Sequence, residues 1–200
     1  MDIRDKMHSG ELYCCSDESL MKEQAVCIDK QAIYNAKPHI YMKEREAMLK
    51  DMFAEVGKDC YIESPFHANW GKHTHLGNGV YANFHLTLVD DTDIYIGDYT
   101  MIGPNVTLVT ASHPIHPGLR EKQVQYNLPV RIGKNVWIGA GVIVLAGVTI
   151  GDNSVIGAGS VVTHDIPANV IAYGSPCRVA RPIDEHDMQY YDKTRKIDFD

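Results

Sequence analysis

From Ile132 to Pro167 the chain divides every six residues into IGKNVW, IGAGVI, VLAGVT, IGDNSV, IGAGSV and VTHDIP. The first place is Ile or Val in all six, the second is Gly in four, and the fifth is Val, Ser or Ile. The third and fourth places hold turn formers such as KN, DN and AG. If roughly one residue in five is Ile, Leu or Val, six in succession at fixed spacing has a chance of about 10⁻⁴. A helix would need apolar residues at i, i+3, i+4 and i+7, and each glycine would cost it about 1 kcal/mol. A plain strand would alternate with period two. Short strands joined by tight corners satisfy the period, which predicts a parallel β-helix of stacked coils.

The rhythm continues upstream in LGNGVY from Leu76, ANFHLT from Ala82 and LVDDTD from Leu88. It then slips by two before IGDYTM from Ile96 and IGPNVT from Ile102. Residues 60–112 and 131–175 supply about five coils at three hexapeptides each. The period carries no handedness, and right-handed crossovers are the default for parallel strands. Residues 1–57 read as a helical N-terminal segment. SDESL offers an N-cap, and Met48, Leu49, Met52, Phe53 and Val56 fall at helical spacing before Gly57. Such a segment would hide the last apolar layer of the solenoid. The coil is expected over 58–183, interrupted by a loop at 114–130, with a C-terminal tail at 184–200.

The formal charge of −7 disfavours nucleic acid, which needs clustered cations. No apolar run is long enough to cross a bilayer. The five cysteines form no CxxC pair and read as reduced thiols of a cytoplasmic protein. The loop opens on SHPIHP, so His113 and His116 are open to three readings: a metal clamp, a catalytic base with a neighbour, or a polar turn. Zinc needs three or four converging ligands, and His75 is the nearest candidate for a third, with His67, His73 and His85 also close in sequence. His113 closes a repeat at the mouth of the loop, where scaffolds of this kind place functional groups. A neutral imidazole, with an ordinary pKa of about 6.5, can take a proton from a hydroxyl.

GELY, VYANFHLTLVDD, IGPNVTL, SHP, NVWIGAGV, GVTIGDNSVIGAGSVVT and GSPCRV together resemble the maltose and galactoside O-acetyltransferases. These are hexapeptide-repeat acyltransferases, a superfamily that includes nodulation acetyltransferases. The resemblance runs from about Met7 to Ile183. It implies a left-handed parallel β-helix assembled as a homotrimer, with active sites between subunits and the loop folded over one of them. It also implies transfer of an acetyl group from acetyl-CoA to a sugar hydroxyl, usually the 6-OH, without a metal.

Carried over residue by residue, the resemblance makes His113 the general base and gives His116 no chemical role. Asn83 stands at the reacting centre, although an asparagine ladder of the coil is its plain alternative. Asp91 would accept hydrogen bonds from acceptor hydroxyls, with Asn69 facing the same substrate. Trp70 would stack on a sugar or only pack. Near the N-terminus the galactoside branch uses an acidic residue, and either Cys15 or Asp17 stands in its place. Ala140 and Ala158 would flank the pantetheine arm, Thr163 and His164 border it, and Arg178 and Arg181 approach the CoA phosphates. Two departures concern the acceptor: Ala140 stands where the galactoside branch has serine, and His85 where it has asparagine. An acceptor other than a sugar (an antibiotic, an amino sugar or serine) and a metal-dependent hydratase on the same coil are the competing readings.

Overall fold

Ile132, Ile138, Val144, Ile150, Ile156 and Val162, the first residue of each hexapeptide, are all buried. The fifth places, Val136, Val142, Val148, Ser154, Ser160 and Ile166, are buried with them, so each hexapeptide turns two side chains inward. In the computed structural model, which describes residues 2–192 and 194–199, these layers stack into a solenoid with three parallel sheets as its faces.

The first face is built from Glu55–Val56, Thr74–Leu76, Ile94–Ile96, Val130–Ile132 and Thr149–Ile150. The second runs from Tyr61–Ile62 through Tyr81–Ala82, Met101–Ile102, Trp137–Ile138 and Val155–Ile156 to Val170–Gly174, which folds back antiparallel on Cys177–Pro182. The third holds His67–Ala68, Thr87–Val89, Thr107–Val109, Ile143–Val144 and Val161–Val162. Five complete coils and a partial sixth result, and the first begins at Glu55 rather than near Cys60.

Two features of the repeat have direct physical causes. The fourth place sits in the left-handed region, with φ of 52° at Asn135, 69° at Gly141 and 61° at Asn153, and Asn and Gly tolerate that region best. The second-place glycines at the corner between the first and second faces answer to crowding. A Cβ on Gly97 would lie 2.6 Å from the carbonyl carbon of Gly133 in the next coil, and Gly57 meets Gly77 in the same way.

The helical N-terminal segment comprises α1 (Ile3–Ser9), α2 (Glu18–Ala36) and α3 (Met42–Met52). It departs from the expected all-helical course at two places. Tyr13–Cys14 is a strand, and α3 ends at Met52, so Val56 belongs to the first coil. The reason is the sheet edge: Ala54 N–H donates to Thr74 O and Gly57 N–H to Leu76 O, bonds that a further helical turn would forfeit. Helix α2 covers the open end of the coil by imitating a strand with side chains. Gln31 bonds both the N–H and the carbonyl of Ala68, and Asn35 does the same for Phe66. Arg45, fully buried, donates to the carbonyls of Tyr34, Lys37 and Ile62 and ties α3 to the same edge.

The tail beyond Ile183 forms a short helix (Glu185–Gln189) and a hairpin of Tyr190–Asp192 with Arg195–Lys196. Among the described residues no helix is long and apolar enough to cross a membrane.

The coil spacing makes a prediction about stability. Gly97→Ala should lose about 3 kcal/mol, because the obstructing atoms are backbone of the next coil and cannot move aside. Gly141→Ala, where a Cβ meets nothing within 4 Å, should lose only the left-handed strain of about 1 kcal/mol. Urea midpoints of the two variants measure the difference, and equal losses would contradict the crowding argument.

Candidate active site

The slip of two residues marks the corner between the third and first faces. Inside the regular hexapeptides the inward step is six residues, as from Ile138 to Val144, but Ala68 to Leu76 and Leu88 to Ile96 are steps of eight. The extra residues hold the polar groups. Asp91 accepts from Asn69 Nδ2 at 2.9 Å and from Trp70 Nε1 at 3.3 Å. Asp90 accepts from Trp70 N at 2.8 Å and from Thr74 Oγ1 at 3.0 Å. Trp70 is buried against Met7, Tyr13 and Leu20 and stacks on His73, so it packs and orients Asp91. Asn69 and Asp91, assigned separately to the acceptor, are therefore one hydrogen-bonded unit.

At the third coil the same corner carries the extruded loop. The loop has structure of its own: strands Ala111–Ser112 and Val124–Asn127 flank a short helix α4 (Pro117–Arg120). Both strands join Tyr13–Cys14 in an antiparallel sheet of three. His113 follows the first strand, and its Nδ1 lies 2.9 Å from the Val124 carbonyl. A carbonyl only accepts, so Nδ1 carries the hydrogen and the neutral ring keeps its lone pair on Nε2.

His113 lines an open cavity of about 500 Å³ with Cys15, Met21, Gln24, Arg120 and Gln123. His116 is absent from that lining and begins α4. Between the two N-terminal candidates the structure separates the roles. Asp17 caps α2 by accepting from Ser19 N at 2.9 Å, whereas Cys15 faces the His113 cavity. Burial pushes the Cys15 thiol up, so it stays protonated near neutrality.

Asn83 does not meet His113 within one chain. It lies at the corner between the second and third faces, in a cavity of about 570 Å³ with Tyr81, Trp137, Ala140 and Ala158. It is not a ladder residue. The ladder of the coil is Asn135–Asn153–Asn169, at the corner between the first and second faces. Asn83 Oδ1 accepts from Phe84 N at 2.7 Å, and Nδ2 has no partner among the described residues.

The expected cofactor residues also divide. Ala140 and Ala158 stand with Asn83, but Thr163 and His164, bonded to each other at 2.8 Å, lie at the corner of the third and first faces. His164 shares a cavity of about 290 Å³ with Arg178. Arg178 donates to the Cys177 carbonyl and has no carboxylate partner among the described residues. Arg181 is already held by both oxygens of Asp187, at 2.6 and 2.7 Å. The two corners are opposite ends of the third face, separated by a short strand and its turns, on the order of 15 Å. No three His, Cys, Asp or Glu side chains among the described residues converge where a metal ion would bind.

This geometry matches known proteins along the whole chain. The bacterial transferase hexapeptide family (six repeats) matches residues 129–164, and the maltose acetyltransferase hexapeptide capping motif matches residues 6–57. A galactoside O-acetyltransferase of Lactococcus lactis subsp. lactis (strain IL1403) is 52% identical over 196 residues, 98% of this chain and 95% of that protein. The chain belongs to the maltose and galactoside O-acetyltransferase family of hexapeptide-repeat acyltransferases. It is an acetyltransferase.

A galactoside O-acetyltransferase of Escherichia coli (strain K12) is 43% identical over 198 residues, 99% of this chain and 98% of that one. Among solved structures, a galactoside acetyltransferase in complex with coenzyme A superposes with a TM-score of 0.96 at 43% identity, covering 100% of both chains. A maltose O-acetyltransferase from Clostridium difficile 630 gives 0.90 at 44% identity, covering 92% of this chain and 99% of that one.

Several residues of the candidate site escaped sequence reasoning. Met21, Gln24 and Arg120 line the His113 cavity, and Gln125 and Asn127 sit behind it in the loop, where no repeat marks them. His73, near the metal candidates in sequence, is buried with Nδ1 2.8 Å from the Asp90 carbonyl.

Burial pushes Asp90 up to about 7 and His73 down to about 4. Asp90, raised on folding, contributes stability at low pH that is lost as pH rises through 7. His73, lowered on folding, contributes stability above its unfolded value that is lost as pH falls toward 4. The two slopes oppose each other between these limits. Asp90→Asn removes one of them, so relative to wild type it should gain stability from about pH 4 to about pH 7 and level off above that in urea titrations. A constant difference across that range would contradict the buried-carboxyl reading.

Proposed function

We propose that this enzyme moves the acetyl group of acetyl-CoA directly to a sugar hydroxyl, the 6-OH of a glucoside, galactoside or maltose unit, with His113 as general base. The observation that carries the proposal is the Nδ1 contact with Val124, which leaves Nε2 as the basic nitrogen in a cavity open to an acceptor. His113 Nε2 takes the hydroxyl proton while that oxygen attacks the thioester carbon. The resulting oxyanion is met by Asn83 Nδ2 and coil N–H groups, Ala140 offering only its backbone. Collapse expels the CoA thiolate, which takes the proton back from the imidazolium and leaves as the free thiol. No acyl-enzyme is required. Asn69 and Asp91 form the acceptor-binding unit, with Cys15 on the cavity wall.

The reading requires a second copy of the chain. One end of the third face carries His113, Asp91 and Thr163, and the other carries Asn83, Ala140 and Ala158. Both the acceptor set and the cofactor set are thus split between the same two corners. Outward on the face between them lie Val89, Val109, Ile143, Leu145 and Val161, an apolar surface for a soluble chain to cover. A homotrimer that turns these faces toward its axis brings unlike corners of neighbours together and completes three sites. Acetyl-CoA would lie along that seam, with Ala140 and Ala158 on one side and Thr163, His164 and Arg178 on the other. Arg178 is the better phosphate partner of the two arginines, because Arg181 is engaged by Asp187. The five unpaired cysteines support a reducing, cytoplasmic site of action.

His113→Ala should lower turnover by about 10²–10⁴-fold, the usual worth of general-base catalysis, and still bind acetyl-CoA. His116→Ala should change turnover little. Free-thiol release with a panel of sugars measures both variants, and comparable damage from the two would remove His113 from its role.

A further inference from the structure

The loop strand Val124–Asn127 alternates, with Gln125 and Asn127 buried and their neighbours half-buried. Two amides on the inner face of a loop strand are costly unless bonded, since an unsatisfied buried polar group loses its hydration without return. Here they form a closed network. Asn127 Nδ2 lies 3.0 Å from Met7 O, 3.0 Å from Tyr13 Oη and 3.1 Å from Asp91 O. Gln125 Nε2 donates to Tyr13 Oη at 2.6 Å and to Asn127 Oδ1 at 2.9 Å. Burial pushes the Tyr13 phenol up to about 12, so the hydroxyl stays neutral and accepts from Gln125, while the two Asn127 N–H groups are shared among the three oxygens around them.

Three segments far apart in sequence meet at this one amide: the end of α1 with the Tyr13–Cys14 strand, the extruded loop, and the Asp91 corner. The same loop strand carries the Val124 carbonyl that holds His113 Nδ1, and Cys14 is the register partner of Val124. A slip or tilt of this strand would move the carbonyl away from the imidazole. Apolar residues at these two places would bury as well against Met7 and Tyr13, yet would not select one register of the sheet.

We infer that Asn127, with Gln125 and Tyr13, is a positioning residue that locks the N-terminal strand, the loop and the Asp91 corner together, and thereby holds His113 in the tautomer with Nε2 unprotonated. The inference rests on the reading of His113 as the base, but its first test needs no acceptor. In the intact protein, ¹⁵N shifts of the His113 ring should report Nδ1 protonation at neutral pH. In Asn127→Ala the tautomer ratio should move by about tenfold, the equivalent of one ordinary hydrogen bond. Amide exchange should speed up at Tyr13–Cys14 and Ala111–Ser112 but not along the coil at Ile138 or Val144.

With any sugar that is turned over, the Michaelis constant for the acceptor should rise while that for acetyl-CoA holds. If Asn127→Ala does not fold, Tyr13→Phe, which keeps the ring and removes the accepting hydroxyl, is read in the same way. An unchanged tautomer ratio, or exchange that quickens evenly over the coil, would overturn the inference. Failure to acetylate any sugar would count against the proposed function and leave the ring measurement standing.

Discussion

Stacking at one strand spacing, about 4.8 Å, governs the rest of this structure. Each coil must present the same shape to the coil above and below it. At Ile132, Ile138, Val144 and their equivalents a branched side chain fills the layer. At Gly97 and Gly133 even one extra carbon would strike the neighbouring backbone. A residue in the left-handed region turns the chain at most corners, asparagine or glycine at Gly79, Asn105, Asn135, Gly141 and Asn153 and less tolerant types at Asp59, His85 and Tyr99. These demands leave only the outward places of a regular coil free for chemistry, and there the side chains stand apart.

The molecule escapes that limit at one corner. Steps of eight instead of six between the third and first faces, followed in the third coil by a complete loop, place Asn69, Asp90, Asp91 and His113 at the same corner of successive coils. The N-terminal segment then serves two ends. Gln31, Asn35 and Arg45 satisfy the open edge of the first coil, while Tyr13 and Cys15 join the loop that bears His113. Cap and extruded loop are one assembly, which explains why the loop forms a sheet and does not wander.

How much of this could be read from the residues follows the same division. Wherever the six-residue period acts, the sequence was transparent: Ile132 to Val162 are inward as the pattern requires, and the slip before Ile96 is a real widening of the coil. The helix end was not legible, because Val56 fits a helical spacing and a strand equally well and the pairing with Leu76 decides between them. Asp17 and Cys15 were indistinguishable until the cap on Ser19 took Asp17 out of the cavity. The motifs pointed to Asn83 and His113 together, yet no local signal tells that one chain holds them at opposite ends of a face.

Mixing two inactive variants tests the central claim, that each active site is built from two chains. His113→Ala and Asn83→Ala, unfolded together and reassembled in equal amounts, would place an intact His113 beside an intact Asn83 of the next chain at about one interface in four of a cyclic assembly. The account predicts that the mixture recovers about a quarter of wild-type turnover while each variant reassembled alone stays inactive. A mixture no more active than its two components would place both residues in sites of a single chain and contradict it.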